Sequence, residues 1–345
     1  TCRDTRAAIK RRLLFATERW GGSGTLFAWD LWNEIHPAFG GNDPGCFTDF
    51  IEDVGESLRR REIELYGRSH PQTVSVFGPL ILERPETAAT AFRHPSLDFH
   101  SIHFYEDGTI DFPRNTVDAA VSVGRLVREA LAEVPGDRPF FDSEHGPIHT
   151  FKDRRRTLPE PFDDEYFRHI QWAHFASGGA GGGMRWPNRY PHVLTRGMHG
   201  AQKALAGFTP LVDWTRFRRR NLNAEMEIAG GNCAGFACGD EEQAVAYVLR
   251  RDSLDRSGML RKNAEPVSPV VTIPGLGQGT VNGTYQVTFW NTLEGLPAGD
   301  LEVRRSEDGK LRIPLPPLRT DLALAVRGAN FDLKAPLARW RSSPL

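Results

Sequence analysis

Two glutamates stand where apolar, strand-like segments of the sequence give way to polar residues. The run T-L-F-A-W-D-L-W leads through Asn33 to Glu34, and the run R-P-F-F-D-S leads to Glu144. A third segment, F-H-S-I-H-F-Y, ends with His103 and Tyr105. In a barrel of parallel strands, catalytic side chains collect at the carboxyl ends of the strands. The pattern therefore predicts that carboxyl, imidazole and phenol groups meet at one end of a parallel sheet.

Two carboxyl groups on either side of one bond suit the hydrolysis of a glycosidic bond. One must be protonated to give the leaving oxygen a proton, and the other must be ionised to attack or to activate water. A separation of about 5 Å suits direct attack, whereas about 6.5 to 9.5 Å leaves room for a water molecule. Asn33 is placed to donate to a sugar 2-hydroxyl. Asp142 shares strand parity with Glu144 and competes with it as the catalytic carboxylate; the other interpretation of Asp142 is a buried, paired carboxylate.

Further side chains are predicted to line the same site. His103 and Tyr105 have the same parity on their strand, so both can face one site, and Tyr105 can hydrogen-bond the nucleophile. Trp186 offers a flat apolar face for stacking on a sugar ring, and His145 is assigned to the substrate-binding residues. His100 and His103 face opposite sides of their strand, so we expect no metal site, and nothing indicates a cofactor.

Strands and helices alternate through the first part of the chain and then give way to strands alone. Short apolar strands alternating with amphipathic helices predict an α/β fold with a parallel sheet. Beyond residue 210 the patterns are those of strands separated by turns, which predicts a separate antiparallel sandwich. We therefore predict two domains, residues 1–210 and residues 211–345.

The motifs resemble those of glycoside hydrolase clan A, most closely the family-5-like cellulase and mannanase barrels. L-F-A-W-D-L-W-N-E-I is similar to the fourth strand of that TIM (β/α)8 barrel, and P-F-F-D-S-E-H-G-P to the seventh. The resemblance implies a retaining mechanism with Glu34 as acid/base and Glu144 as nucleophile. D-F-H-S-I-H-F-Y is similar to the sixth strand, which implies substrate contacts for His103 and Tyr105. M-R-W is similar to the eighth strand and gives Trp186 a subsite-lining role.

The resemblance covers barrel strands four to eight, followed by a small β-domain often appended to such barrels. Strands one to three have no counterpart in this sequence, and an open barrel would expose a long edge. We therefore expect an upstream segment or a second chain to complete the barrel. A non-catalytic carbohydrate-binding barrel, or a subunit completed by a partner chain, is the alternative to an enzyme.

The composition is that of a globular protein whose balanced charge fits a neutral glycan without selecting one, and the resemblance implies an oligo- or polysaccharide as its partner. The 43 basic and 44 acidic residues give a net charge of -1, which does not favour nucleic acid as a partner. No apolar run approaches the roughly 20 residues that span a bilayer. We expect a secreted or periplasmic location, because polymeric glycans are usually found there. Cys233 and Cys238 are compatible with free thiols or with a bridge. The sugar (β-mannoside, β-glucoside or β-galactoside type) stays open.

Overall fold

The chain forms two compact units in the computed structural model. The structure describes residues 3–35, 44–78, 85–136, 138–148, 157–186, 194–277 and 283–328. The first unit comprises Thr1–Tyr105 and Glu129–Glu144, and the second comprises Glu106–Arg128 and His145–Leu345. The domain boundary near residue 210 stays a prediction.

The first unit contains parallel strands with helices between them, as the alternation in the sequence predicts. Its helices are α1 (Arg3–Trp20), α2 (Pro44–Tyr66) and α3 (Pro85–Phe92). Its strands are β1 (Trp29–Asp30), β2 (Gln72–Thr73), β3 (Ser75–Phe77), β4 (His100–Phe104) and β5 (Phe140–His145). The last residue of β5, His145, belongs to the second unit. A fourth helix, α4 (Asp118–Glu133), contains residues of both units. Strand β1 pairs with β2 in parallel, and the other three strands form a sheet in the order β3-β4-β5, in which β3 and β4 are parallel.

Helix α2 packs through residues spaced one turn apart. Phe50, Val54 and Leu58 follow one another at intervals of four and are all buried. That spacing places the three side chains on one face of the helix. All five residues of β4 are buried, which is typical of a parallel strand covered on both faces.

The strand expected over residues 25–32 is much shorter than its apolar sequence predicts. Only Trp29 and Asp30 form ladder pairs, with Gln72 and Thr73 of β2. Phe27 is 76% exposed, so the beginning of the run is not part of a packed strand. An apolar run becomes a strand only where a partner strand runs beside it, and here that partner spans two residues.

The second unit combines two helices with two antiparallel sheets. Its elements are α5 (Glu160–Ala176), α6 (Arg196–Phe208), a 3-10 turn (Thr209–Leu211), β6 (Arg220–Asn221), β7 (Glu227–Ala229), β8 (Cys233–Gly239), β9 (Gln243–Arg250), β10 (Val270–Pro274), β11 (Thr284–Asn291), β12 (Leu296–Arg304), β13 (Lys310–Pro314) and β14 (Asp321–Gly328). The larger sheet has the order β12-β11-β14-β9-β8-β6, and the smaller has the order β13-β10-β7. The β-only pattern beyond residue 210 is therefore confirmed.

The two antiparallel sheets share one hydrophobic cluster. Val248 and Leu324 of the larger sheet belong to the same buried cluster as Val271 and Ile313 of the smaller sheet. Alternation along β13 sends Ile313 into this cluster, while its neighbours are exposed. The period-2 pattern of the strands is thus what forms this core.

A second cluster joins the larger sheet to helices α5 and α6. Trp172 of α5 is fully buried, with its ring centroid 5.3 Å from that of Phe208 and 6.0 Å from that of Tyr247. Trp172 and Phe175 therefore act in helix packing. Cys233 and Cys238 are free thiols. No helix among the described residues is long and apolar enough to cross a membrane.

Candidate active site

Four of the predicted site residues meet in the first unit, at the ends of its strands. Glu34 follows β1, His103 lies on β4, Tyr105 follows β4, and Glu144 lies on β5. Strands β4 and β5 are neighbours in one sheet, so side chains near their ends lie close together. The buried strands thereby hold polar side chains that are distant in the sequence.

The contacts join the two glutamates through His103. Nδ1 of His103 lies 2.8 Å from Oε1 of Glu34 and 3.4 Å from Oε2 of Glu144. The hydroxyl of Tyr105 donates a hydrogen bond to Oε1 of Glu144. One ligand atom from each of Glu34, His103 and Glu144 can be chosen so that all three lie within 4.8 Å of one another. The arrangement therefore places two carboxyl groups within reach of a single bond.

The exposure of these side chains differs in a way that suits their chemistry. The carboxyl side chain of Glu34 is 30% exposed and that of Glu144 is 14% exposed, whereas the His103 side chain is only 3% exposed. A ligand can thus reach both acids, whereas the imidazole of His103 is almost completely shielded from solvent. Tyr105 is also buried, and its ring lies 5.9 Å from that of Phe77.

Burial and neighbouring charges act in opposite directions on the titrating groups. Burial raises the pKa of the Glu144 carboxyl, although the hydrogen bond from Tyr105 and the charge of His103 counteract that rise. Burial alone would lower the pKa of His103, but its hydrogen bond to Glu34 and the charge of Glu144 raise it overall. The pKa of Tyr105 is raised, first by burial and then by Glu144. The hydrogen bond donated by Tyr105 and the positive charge of His103 therefore favour an ionised Glu144.

A raised pKa is also what a general acid requires, so the pKa of Glu144 does not by itself decide its role. The hydrogen bond from Tyr105 favours the nucleophile, because it holds one carboxylate oxygen in place and stabilises its negative charge. Glu34 is the more exposed acid and makes its hydrogen bond with His103 instead.

The backbone of Glu34 is unusual. Its φ angle of 53° is the only positive value for a non-glycine residue among the residues described. Such a conformation costs about 1–3 kcal/mol and persists only where the surroundings fix it. Ser75 of β3 accepts a hydrogen bond from the Glu34 N–H through its Oγ, at 3.0 Å. Ser75 is not among the residues predicted from the sequence, where its only signal is a hydroxyl within the apolar strand T-V-S-V-F.

Other polar groups lie next to Glu144. Asp142, the competing carboxylate, is completely buried, and its Oδ1 accepts a hydrogen bond of 3.2 Å from the Glu144 N–H. The hydroxyls of Ser101 and Ser143 hydrogen-bond each other on the neighbouring strands β4 and β5. Asp142 therefore supports the backbone of Glu144 from within the protein, and Glu144 is the more accessible acid of the two.

The remaining predicted residues are not part of these contacts. Asn33 is exposed beside Glu34. His145 and Trp186 belong to the second unit, where the Trp186 N–H donates to the His145 carbonyl at 2.6 Å. The His145 side chain is completely buried against Phe167, whereas Trp186 is 37% exposed. Substrate-binding roles for these three residues stay predictions.

The turn after His145 requires glycine. A Cβ on Gly146 would lie 1.7 Å from the carbonyl oxygen of Trp186, and the residue has a φ of 151°. Only glycine allows two backbones to approach so closely. The glycine of S-E-H-G therefore fixes the segment that carries Trp186 next to the end of β5.

The comparisons with known proteins agree with the resemblance in fold. No protein-family model matches the sequence, and no curated protein matches it significantly. A solved structure described as a glycoside hydrolase matches with a TM-score of 0.53 and 14% identity, over 95% of this chain and 70% of that chain. A glycoside hydrolase family 5 structure from Bacteroides vulgatus ATCC 8482 matches with a TM-score of 0.55 and 13% identity, over 96% and 68%.

A cycloisomaltooligosaccharide glucanotransferase from Paenibacillus sp. matches with a TM-score of 0.55 and 9% identity, over 93% of this chain and 65% of that chain. Identities this low establish a shared fold and nothing about activity. The expected similarity to the α/β fold of glycoside hydrolases is thereby confirmed.

Proposed function

We propose that this chain carries the catalytic centre of a retaining β-glycoside hydrolase. The observation that carries the proposal is the approach of Glu34, His103 and Glu144 to within 4.8 Å of one another. A carboxyl separation of about 5 Å is that of retaining enzymes, whereas inverting enzymes need about 6.5 Å or more. The similarity in fold to solved glycoside hydrolases supports this choice.

Each side chain has a defined step in this reaction. Glu144 attacks the anomeric carbon, while Glu34 gives its proton to the departing oxygen, and a covalent glycosyl-enzyme forms. Glu34 then takes a proton from the water that hydrolyses this intermediate. Tyr105 holds one oxygen of Glu144, and His103 places a donor between the two acids. The substrate class is a β-mannoside, β-glucoside or β-galactoside.

We propose that this centre belongs to a larger assembly. We propose that β1 to β5 belong to a TIM barrel of the clan A type, and that the two antiparallel sheets are a β-sandwich accessory domain. Among the described residues, β1 has only β2 as a partner. A further segment or a second chain is therefore proposed to complete the barrel, which native mass spectrometry of the protein from its source would test. We also propose a secreted or periplasmic location.

The roles of the two glutamates can be separated by the stereochemistry of azide rescue. With Glu144→Ala and a β-glycoside that has a good leaving group, azide replaces the lost carboxylate and gives an α-glycosyl azide after one inversion. With Glu34→Ala, azide attacks the covalent intermediate and gives a β-glycosyl azide after two inversions. Identification of the azide anomers by NMR thus assigns each residue.

The control is Asp142→Asn, which alters the neighbouring carboxylate and should give no azide adduct. Exchange of the two anomers between the variants would reverse the roles. Full hydrolysis by both alanine variants would exclude the mechanism, and binding of oligosaccharides without any hydrolysis by the wild type would identify a carbohydrate-binding protein.

A metal-dependent centre is the second candidate, because the same three side chains also form a metal donor set. Imidazole nitrogen and carboxylate oxygen are both zinc ligands, and one such atom from each of the three side chains lies within 4.8 Å of the others. The acid pair predicts that hydrolysis continues unchanged in EDTA. Loss of hydrolysis in EDTA, with recovery on adding Zn²⁺, would replace the acid pair by a metal mechanism.

A further inference from the structure

Ser75 contacts the chain around Glu34 through every polar atom that it has. Its Oγ accepts from the Glu34 N–H at 3.0 Å, and its carbonyl oxygen accepts from the Ile35 N–H at 2.8 Å. Its own N–H donates to the Trp32 carbonyl at 3.2 Å and to Oδ1 of Asp30 at 3.1 Å. Ser75 itself is completely buried.

Two bonds depend on the side chain of Ser75: its Oγ accepts from the Glu34 N–H at 3.0 Å and donates to the Trp32 carbonyl at 3.5 Å. Backbone contacts with Trp32 and Ile35 can be made by any residue at this position, whereas the acceptor for Glu34 is a hydroxyl oxygen. Glu34 is also the described non-glycine residue with the positive φ. The hydroxyl therefore bonds to the amide of the residue that has this positive φ.

We propose that Ser75 is a positioning residue for the general acid of the reaction. Its hydroxyl holds the left-handed backbone of Glu34 and so aims the carboxyl at the leaving oxygen. The inference rests on the proposed function, because it assigns to Ser75 an effect on the acid step of that reaction.

A misplaced general acid changes how the rate depends on the leaving group, whereas a general loss of protein stability does not. A phenyl glycoside has a basic leaving oxygen and needs the proton from Glu34, whereas a 2,4-dinitrophenyl glycoside departs without one. A residue that aims the acid should therefore affect the first substrate and spare the second. A residue that only supports the fold should affect both equally.

The experiment compares kcat/KM of Ser75→Ala for a series of aryl β-glycosides of decreasing leaving-group acidity. This quantity reports the steps through glycosylation. We expect a loss of roughly 10- to 100-fold for the phenyl glycoside, since misplacement by about 1 Å can cost that much, and a change within about 3-fold for the dinitrophenyl glycoside. Ser75→Cys keeps a side chain of similar shape with a weak acceptor and should show the same trend to a smaller extent.

The matched control is Ser101→Ala, which removes another buried strand hydroxyl that bonds to Ser143 and not to Glu34. Its dependence on the leaving group should equal that of the wild type. An unchanged dependence in both Ser75 variants, with the wild type active, would overturn the role of Ser75 and leave the proposed function standing. A wild type that hydrolyses no aryl glycoside would overturn both.

Discussion

At the scale of single residues, the ionisation of Glu144 depends on a balance between burial and hydrogen bonding. Burial raises its pKa above the ordinary value of 4.5, and the Tyr105 hydroxyl counteracts the rise. Glu144 must be ionised to attack, so activity is lost as the pH falls through this pKa. The acidic limb of kcat/KM is therefore expected above pH 4.5.

Tyr105→Phe should move this acidic limb to higher pH. The variant removes the hydrogen bond that stabilises the charged carboxylate, so the pKa of Glu144 rises further. A hydrogen bond to a charged group corresponds to a shift of about one pH unit or more. The measurement is the pH dependence of kcat/KM between about pH 4 and 8 for both proteins.

The control for this variant is Tyr66→Phe in the same unit. The Tyr66 hydroxyl donates to the carbonyl of Thr17 at 2.9 Å and makes no bond with either glutamate. Its acidic limb should coincide with that of the wild type. If the limb of Tyr105→Phe also stayed in place, Tyr105 would not stabilise the ionised form of Glu144.

Sequence patterns identify the reactive residues of this site but not the groups that fix them. Glu34, His103 and Glu144 stand at the ends of strand-like runs, so their types and positions can be read directly. Ser75 accepts a hydrogen bond from the N–H of Glu34, a residue with a positive φ. Nothing in the sequence W-N-E indicates that conformation, because it arises from the pairing of strands distant in the chain.

At the scale of elements, a buried ion pair joins α5 to β14. Arg168 of α5 pairs with Asp321 of β14, and their side chains are 6% and 2% exposed. Tyr247 and Thr292 also donate to Asp321. Although burial raises it, the pKa of Asp321 is lowered to about 2, because the charges of Arg168 and His169, with the hydrogen bonds from Arg168 and Thr292, together outweigh the burial.

Arg168→Met should destabilise the second unit by about 3–5 kcal/mol, because it leaves the carboxylate of Asp321 buried without its cation. Arg216→Met is the matched control, since Arg216 and Glu242 form an ion pair with side chains 49% and 44% exposed. Breaking an exposed pair costs about 0–1 kcal/mol. Thermal unfolding of the wild type and of both variants at neutral pH measures the loss of stability. Equal melting temperatures for the two variants would contradict a stabilising role of the buried pair.

The same pair gives a pH dependence with a defined sign. Because the folded pKa of Asp321 is depressed, its stabilising contribution is present above the unfolded value of about 3.9 and is lost as the pH falls towards 2. The ion pair therefore stabilises the protein throughout the pH range in which the glutamates act.

Elements with strong periodicity can be predicted from the sequence. Short strands, and the length of a strand that depends on its partner, cannot. The sequence patterns predict a helix over 195–207 and a strand over 244–249, and the structure has them at Arg196–Phe208 and Gln243–Arg250. Strands β10 and β13 were not predicted, and proline stands at the end of each. The run at 25–32 was overestimated, because the extent of a strand depends on its partner, which local sequence does not specify.

At the scale of the whole molecule, the hydrophobic clusters show which parts of the chain depend on one another within the second unit. Trp172 of α5 and Phe208 of α6 lie in one cluster with Phe236, Tyr247 and Trp290 of the larger sheet. The cluster thus contains residues on both sides of the predicted boundary near residue 210. If residues 211–345 are a separate sandwich domain, a fragment of these residues should be stable alone. If the larger sheet needs helices α5 and α6, the same fragment should be unstable.

The fragment 211–345 should be much less stable than the same segment within the full chain. Without α5 and α6, the rings of Phe236, Tyr247 and Trp290 lose their packing partners and become exposed to water. Burial of a large side chain contributes about 1.5–3 kcal/mol to the free energy of unfolding. Three such contributions together are comparable to the whole free energy of unfolding of a small domain. Urea unfolding of the fragment and of the full chain, followed by tryptophan fluorescence, measures the difference. A fragment as stable as the corresponding transition of the full chain would establish residues 211–345 as an independent domain.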